Sequence, residues 1–206
     1  MRRTLTTILS AALIAGLVAA PAVADEPVTI VDAVLADDGE FDILQAAVIA
    51  TGYAGALDDA DATYTVFAPT DKAFIKLAED LSGLDLDEAS AGAWLLANVP
   101  LPTLTAVLEY HVVVGLAVDS STVVTLDEAP TIGGTVGISA PGKGFRSIQF
   151  VDNDPDARNP KLVKGLFDIE VDNGIIHGVD RERRGNALTG GNGNRRWDCG
   201  FTGIAA

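Results

Sequence analysis

The apolar positions of this chain keep a helical rhythm in its first half and break into short β-like runs in its second. Ile30, Val31, Val34 and Leu35 repeat at the spacing of one helix face over residues 29–36. Asp37-Asp38-Gly39 interrupts the pattern. Phe41, Leu44, Gln45, Val48 and Ile49 resume it, with Gly52 as the expected stop. After an acidic loop at 57–62, Tyr64-Thr65-Val66-Phe67 is dense in strand formers and ends at Ala68-Pro69, where proline withdraws a ladder donor. Thr70 suits a helix N-cap, with Asp71 in the first turn where the helix dipole favours a carboxylate. Phe74, Leu77, Ala78 and Leu81 then form one apolar stripe. Residues 82–100 read as an irregular segment anchored by Trp94, Leu95 and Leu96. Pro102 fits the first turn of a further helix carrying Leu104, Val107 and Leu108.

From Tyr110 the pattern turns to β. Tyr110-His111-Val112-Val113-Val114 reads as a strand ended by Gly115, and 122–126, 130–138 and 145–151 are further strand candidates between Gly, Asp and Pro. A polar loop fills 152–160. The last run, 167–180, predicts a hairpin turning at Asn173-Gly174, since both residues take positive φ at low cost. That turn sets Val171 opposite Ile176, Glu170 opposite His177 and Asp168 opposite Val179. It also puts Phe167, Ile169, Val171 and Ile176 on the core face. Helices first and strands afterwards, with no repeat or interdomain linker, predict an α+β fold.

The chain has 206 residues, 48% of them apolar, and a formal charge of −15. Such a length supports a real core, since ~150 residues hide roughly 70% of their unfolded surface. Half of the 14 basic residues lie at the ends: Arg2, Arg3, Arg181, Arg183, Arg184, Arg195 and Arg196. The body between them is strongly acidic, repels phosphate backbones and argues against nucleic acid as a partner. That acidity serves solubility, or suits a cation-rich medium. Arg2-Arg3, the apolar run 8–20 and Ala22-Val23-Ala24 spell a signal peptide over 1–24, cleaved near Ala24. The run falls short of the ~20 residues of a comfortable span, so no membrane span is expected in the mature form. The expected product is secreted or periplasmic, with one domain over 25–181 and a flexible basic Gly/Asn-rich tail over 182–206. The single cysteine, Cys199, allows no intrachain disulfide; it either cross-links two chains or stays a free thiol. The sequence sets no oligomeric state and requires no cofactor.

Three stretches carry a family resemblance: the segment from Tyr64 through Ala68-Pro69-Thr70-Asp71-Lys72 to Phe74, then Leu108-Glu109-Tyr110-His111-Val112-Val113, then the segment from Asn173 through Ile176-His177-Gly178 to Asp180. In this order they resemble the first signature box, the Tyr-His box and the second signature box of fasciclin domains, over residues 28–181. The resemblance implies a β-sandwich or wedge with helices packed at one side. It implies an extracellular or periplasmic adhesion module and not an established catalyst, with a cell-surface or matrix protein or polysaccharide as partner. For Tyr110 and His111 it implies a binding role, because in related domains this pair lies in the region linked to integrin binding. Past the second box, where family members continue with apolar residues and a proline, this chain has Glu182-Arg183-Arg184-Gly185.

His111 and His177 are the only histidines. A Tyr-His pair beside a run of valines more often packs its rings and satisfies its polar atoms internally, so a structural role for His111 outweighs a binding one. His177, the third candidate binding residue, would be held charged by Glu170 if both were exposed. Two histidines make no persuasive zinc site, and neither HExxH nor GxSxG is present, which leaves a hydrolase as a minor alternative. Residues 137–144 imitate a phosphate-binding loop but end in Gly144 where Ser or Thr is needed, and read better as a glycine-rich hairpin loop. Asp152-Asn153-Asp154-Pro155-Asp156 resembles the start of a calcium loop. Asp152, Asp154 and Asp156 are therefore candidate ligands of a weak calcium site, with a calcium-dependent structural module as the other alternative. Ala157 replaces the turn glycine and Val163 the bidentate Glu, so a solvated turn is the simpler reading.

Overall fold

β1 (Tyr64–Pro69) is buried at every residue, and the elements around it explain why. The computed structural model describes residues 28–36, 39–142, 148–151 and 159–181. In it β1 pairs antiparallel with β2 (Val112–Val114) and parallel with β7 (Gly174–Val179). β6 (Ile169–Val171) completes a four-stranded sheet ordered β2-β1-β7-β6. Side chains alternate across it. Tyr64, Val66 and Ala68 join Val112 and Ile176 in a cluster with the helices, while Phe67 joins Val113 and Val179 on the other face. That second cluster is closed by Val136, Ile138 and Phe150 from a sheet of β3 (Glu128–Thr131), β4 (Gly134–Ser139) and β5 (Gln149–Val151). A strand covered on both faces needs apolar groups at successive positions, which is why Tyr64 to Ala68 reads as a near-continuous run. The layers are the expected α+β sandwich with helices at one side.

The helical stripes land on the core. Ile30, Val31 and Val34 of α1 (Ile30–Leu35), Leu44 and Val48 of α2 (Asp42–Thr51), and Phe74, Leu77 and Ala78 of α4 (Asp71–Ser82) are buried. A short α3 (Ala54–Leu57) precedes β1. Residues 82–100 are more regular than their sequence suggests. They hold α5 (Glu88–Asn98), started by Asp87, whose carboxylate accepts from the Ser90 N–H at 2.8 Å. α6 (Leu101–Glu109) follows with Pro102 in its first turn.

The β half departs from expectation in four places. The hairpin turns at Asp172-Asn173, so Ile169 opposes Ile176 and Val171 opposes Gly174. The shift is two residues, which preserves the faces and changes every partner. Residues 122–126 are not a strand. Asp119 accepts from the Thr122 N–H at 2.7 Å and starts the helical turn α7 (Ser120–Val123), so capping prevails over β-propensity. Residues 130–138 divide into β3 and β4 around Ile132-Gly133. Tyr110 and His111 precede β2, because Tyr110 still closes α6. The signal peptide at 1–24, the tail at 182–206 and residues 143–147 lie outside the described residues.

Candidate functional site

The junction from α6 to β2 and the β7 strand bring the three candidate side chains to either side of β1. Tyr110 is half-buried and lies against the Ile132-Gly133 turn, its hydroxyl donating to the Thr135 carbonyl at 3.2 Å. The approach is close. A Cβ on Gly133 would stand 2.8 Å from the Tyr110 backbone nitrogen, so glycine is required there for space. His111 is buried, and its Nδ1–H donates to the Val107 carbonyl at 2.7 Å. Its own carbonyl accepts from the Phe67 N–H at 2.9 Å, which locks β2 to β1.

His177 is fully buried and stacks on Phe67 at 5.7 Å between ring centroids and 22° between planes. The Asp168 N–H donates to Nδ1 at 3.2 Å, so the ring proton sits on Nε2 and is donated to the Val118 carbonyl at 2.8 Å. Burial pushes the His177 pKa below its ordinary value. The Val118 bond and the Asp168 carboxylate oppose that shift without reversing it. The 3.8 Å approach of Asp168 to Nδ1 is thus a contact with a neutral ring, not an ion pair. Glu170, the neighbour expected for His177, pairs with Ile175 instead. Asp168 takes the position opposite His177, in the left-handed region at φ 57, and its carboxylate accepts from the N–H and hydroxyl of Ser120. Ser120, Asp168 and His177 therefore meet, but they are not wired for nucleophilic attack. The serine hydroxyl donates to the aspartate, and the imidazole has both nitrogens committed to backbone groups.

The open side of β2 carries exposed apolar side chains. Val114 and Leu116 are each 53% exposed, and Ile132 is 46% exposed. Ile132 is tied to β2 through its N–H and the Val112 carbonyl at 2.9 Å. The run of valines gives no sign that Val114, unlike Val112 and Val113, is open.

Beneath the first sheet, Ile30, Leu44, Tyr53, Val66, Leu108 and His111 line a cavity of about 20 Å³. That is room for about one water and for no organic ligand. Burial raises the Tyr53 hydroxyl beside it to about 12.

Asp152, Asp154 and Asp156 lie outside the described residues. Among those described, one set of carboxylates converges: Asp42, Asp71 and Glu88 each offer an oxygen within 4.8 Å of the others. Each is the first residue of its helix, α2, α4 and α5. The sequence marks them only as separate helix starts.

The fasciclin domain model matches residues 39–182, most of the chain. The chain belongs to the fasciclin domain family. This family is tied to cell adhesion. No curated protein sequence matches the chain. Among solved structures, this fasciclin domain is similar to the FAS1 domain pair of the insect cell adhesion molecule Fasciclin I, with a TM-score of 0.59 and 18% identity. The alignment covers 75% of this chain and 50% of that one, so the chain spans half the length of the pair; at this identity the likeness concerns the fold. Among the described residues, no single helix is long and apolar enough to cross a membrane.

Proposed function

We propose that this fasciclin domain is an exported adhesion module that binds a cell-surface or matrix component, protein or polysaccharide, through the open side of β2. In this reading residues 1–24 direct export and are removed near Ala24, and the domain over 25–181 does the binding. The tail over 182–206 is dispensable for it. The observation that carries the reading is the exposure of Val114, Leu116 and Ile132, apolar side chains on the edge strand β2, just after it, and on the turn bonded to it. Exposed apolar groups at the edge of a sheet are the usual makings of a protein contact. Tyr110 supplies a rigid amphipathic ring. His111 and His177 act from below, by bonding α6 to β2 and the Val118 segment to β7.

Retention of cells and of matrix polysaccharide on a surface coated with the purified protein tests this. The protein should retain at least one of them, and Val114→Asp with Ile132→Asp should cut retention by about tenfold or more with the melting temperature unchanged. Equal retention by the double variant would move the contact elsewhere on the domain.

A further inference from the structure

Three helices begin at one point. Asp42 opens α2, Asp71 opens α4 and Glu88 opens α5. A carboxylate at a helix start is favoured by the helix dipole, which accounts for each acid taken singly. It does not account for three that meet. Glu40 and Asp87 add to the field around them, and among the described residues no Lys or Arg forms an ion pair with any of the three.

Asp71 sharpens the question. It is 5% exposed, and its Oδ1 accepts from the Ile43 N–H at 2.8 Å, which fixes the carboxylate in place. Its Oδ2 is buried and has no hydrogen-bond partner. A carboxylate oxygen stripped of water and left without a partner costs free energy that a proton or a cation would recover. Burial already pushes the Asp71 pKa up, and the charges of Asp42 and Glu40 add to it.

The arrangement suits a hard cation. All donors are oxygens, one deep, one half-buried and one exposed, so an ion has a route in and room to keep several waters. Two oxygens bound to one calcium at ~2.4 Å can be no more than ~4.8 Å apart. The three oxygens already lie within 4.8 Å of one another. Magnesium demands near-ideal octahedral geometry and gives up its waters reluctantly, a poorer match to three carboxylates carried on separate helices than calcium with its irregular shell. We propose that Asp42, Asp71 and Glu88 form a divalent-cation site, for calcium in preference to magnesium, that clips together the starts of α2, α4 and α5.

The test is thermal unfolding of the full chain, stripped with chelator and titrated with calcium chloride at constant ionic strength. The melting temperature should climb by roughly 5–10 °C at a hundredfold excess of calcium over its Kd, and less with magnesium. Glu88→Gln, at an exposed position that leaves folding intact, should weaken the response about tenfold or more. Asp71→Asn keeps the acceptor for Ile43 and removes the orphaned charge. It should abolish the response without lowering the melting temperature of the stripped protein. Asp154→Ala should respond like the parent. The proposal is overturned by no response up to about 10 mM calcium. It is equally overturned by a response that survives both Glu88→Gln and Asp71→Asn, or by one that Asp154→Ala removes.

Discussion

Asn173 and His177 show how much a single buried polar group can organise. The Asn173 side chain accepts from the Ile30 N–H at 2.8 Å and donates to the Leu57 and Asp59 carbonyls at 2.9 and 3.2 Å, tying α1 and the end of α3 to the β6–β7 turn. His177 does the same for Val118 and Asp168. Its neutrality has a pH consequence. Because its folded pKa lies below 6.5, the unfolded chain binds a proton that the folded chain refuses. The stability this ring contributes is complete above about pH 6.5 and drains away as pH falls below that. His177→Phe keeps a ring against Phe67 but orphans the Val118 carbonyl and the Asp168 N–H. It should cost about 2–4 kcal/mol near neutral pH. Between about pH 7.5 and about pH 5.5 its melting temperature should fall less than the parent's, and equal falls would show that His177 is not the titrating group. The two histidines were legible as residues to watch. Their tautomers were not, since a tautomer is set by which carbonyl and which N–H fold against the ring.

At the scale of elements, the β6–β7 hairpin shows what a sequence pattern transmits and what it loses. Alternation predicts one core face for Phe167, Ile169, Val171 and Ile176. The last three pack together against the helices, while Phe167, cut off from β6 by the positive φ of Asp168, packs in the second cluster. The partners differ because the chain turns at Asp172-Asn173 and not at Asn173-Gly174. Neither residue has positive φ. Gly174 is glycine because a Cβ would stand 2.2 Å from the Tyr64 carbonyl oxygen, a close approach that exists only once β1 and β7 are side by side. Gly174→Ala should therefore lower stability by about 1–3 kcal/mol or more, measured by denaturant unfolding. Gly55→Ala in α3, where a Cβ meets nothing within 4 Å, should be neutral or mildly stabilising. Comparable losses at both positions would refute the steric account. The same limit explains residues 120–123. Thr122-Val123-Val124-Thr125 has strand-forming side chains, and one carboxylate, Asp119, outweighs them locally.

At the scale of the molecule, the sequence conveyed class, charge and family but not layering. The amphipathic stripes of α1, α2 and α4 each need one apolar partner, which periodicity can announce. The parallel pairing of β1 with β7 joins segments at opposite ends of the domain, and no local pattern encodes it. The meeting of Asp42, Asp71 and Glu88 depends on the same long-range geometry. Net charge was readable at once. At −15 the folded chain repels itself, so sodium chloride should raise its melting temperature as the screening length falls from ~30 Å to ~8 Å, before any specific cation is added. A melting temperature indifferent to that change would mean the charges are too dispersed to matter.

The place of β1 also bears on how the chain comes together in time. Its Tyr64 to Pro69 backbone docks on one side against a segment that leaves the ribosome only when synthesis of the domain is almost complete. Until then this strand, buried at every residue in the finished fold, has a bare rim of amide groups onto which any neighbouring nascent chain can zip. Shortened products that stop before Gly174 would carry that rim permanently, and clumping, not mere loss of binding, is the fate the architecture assigns to them.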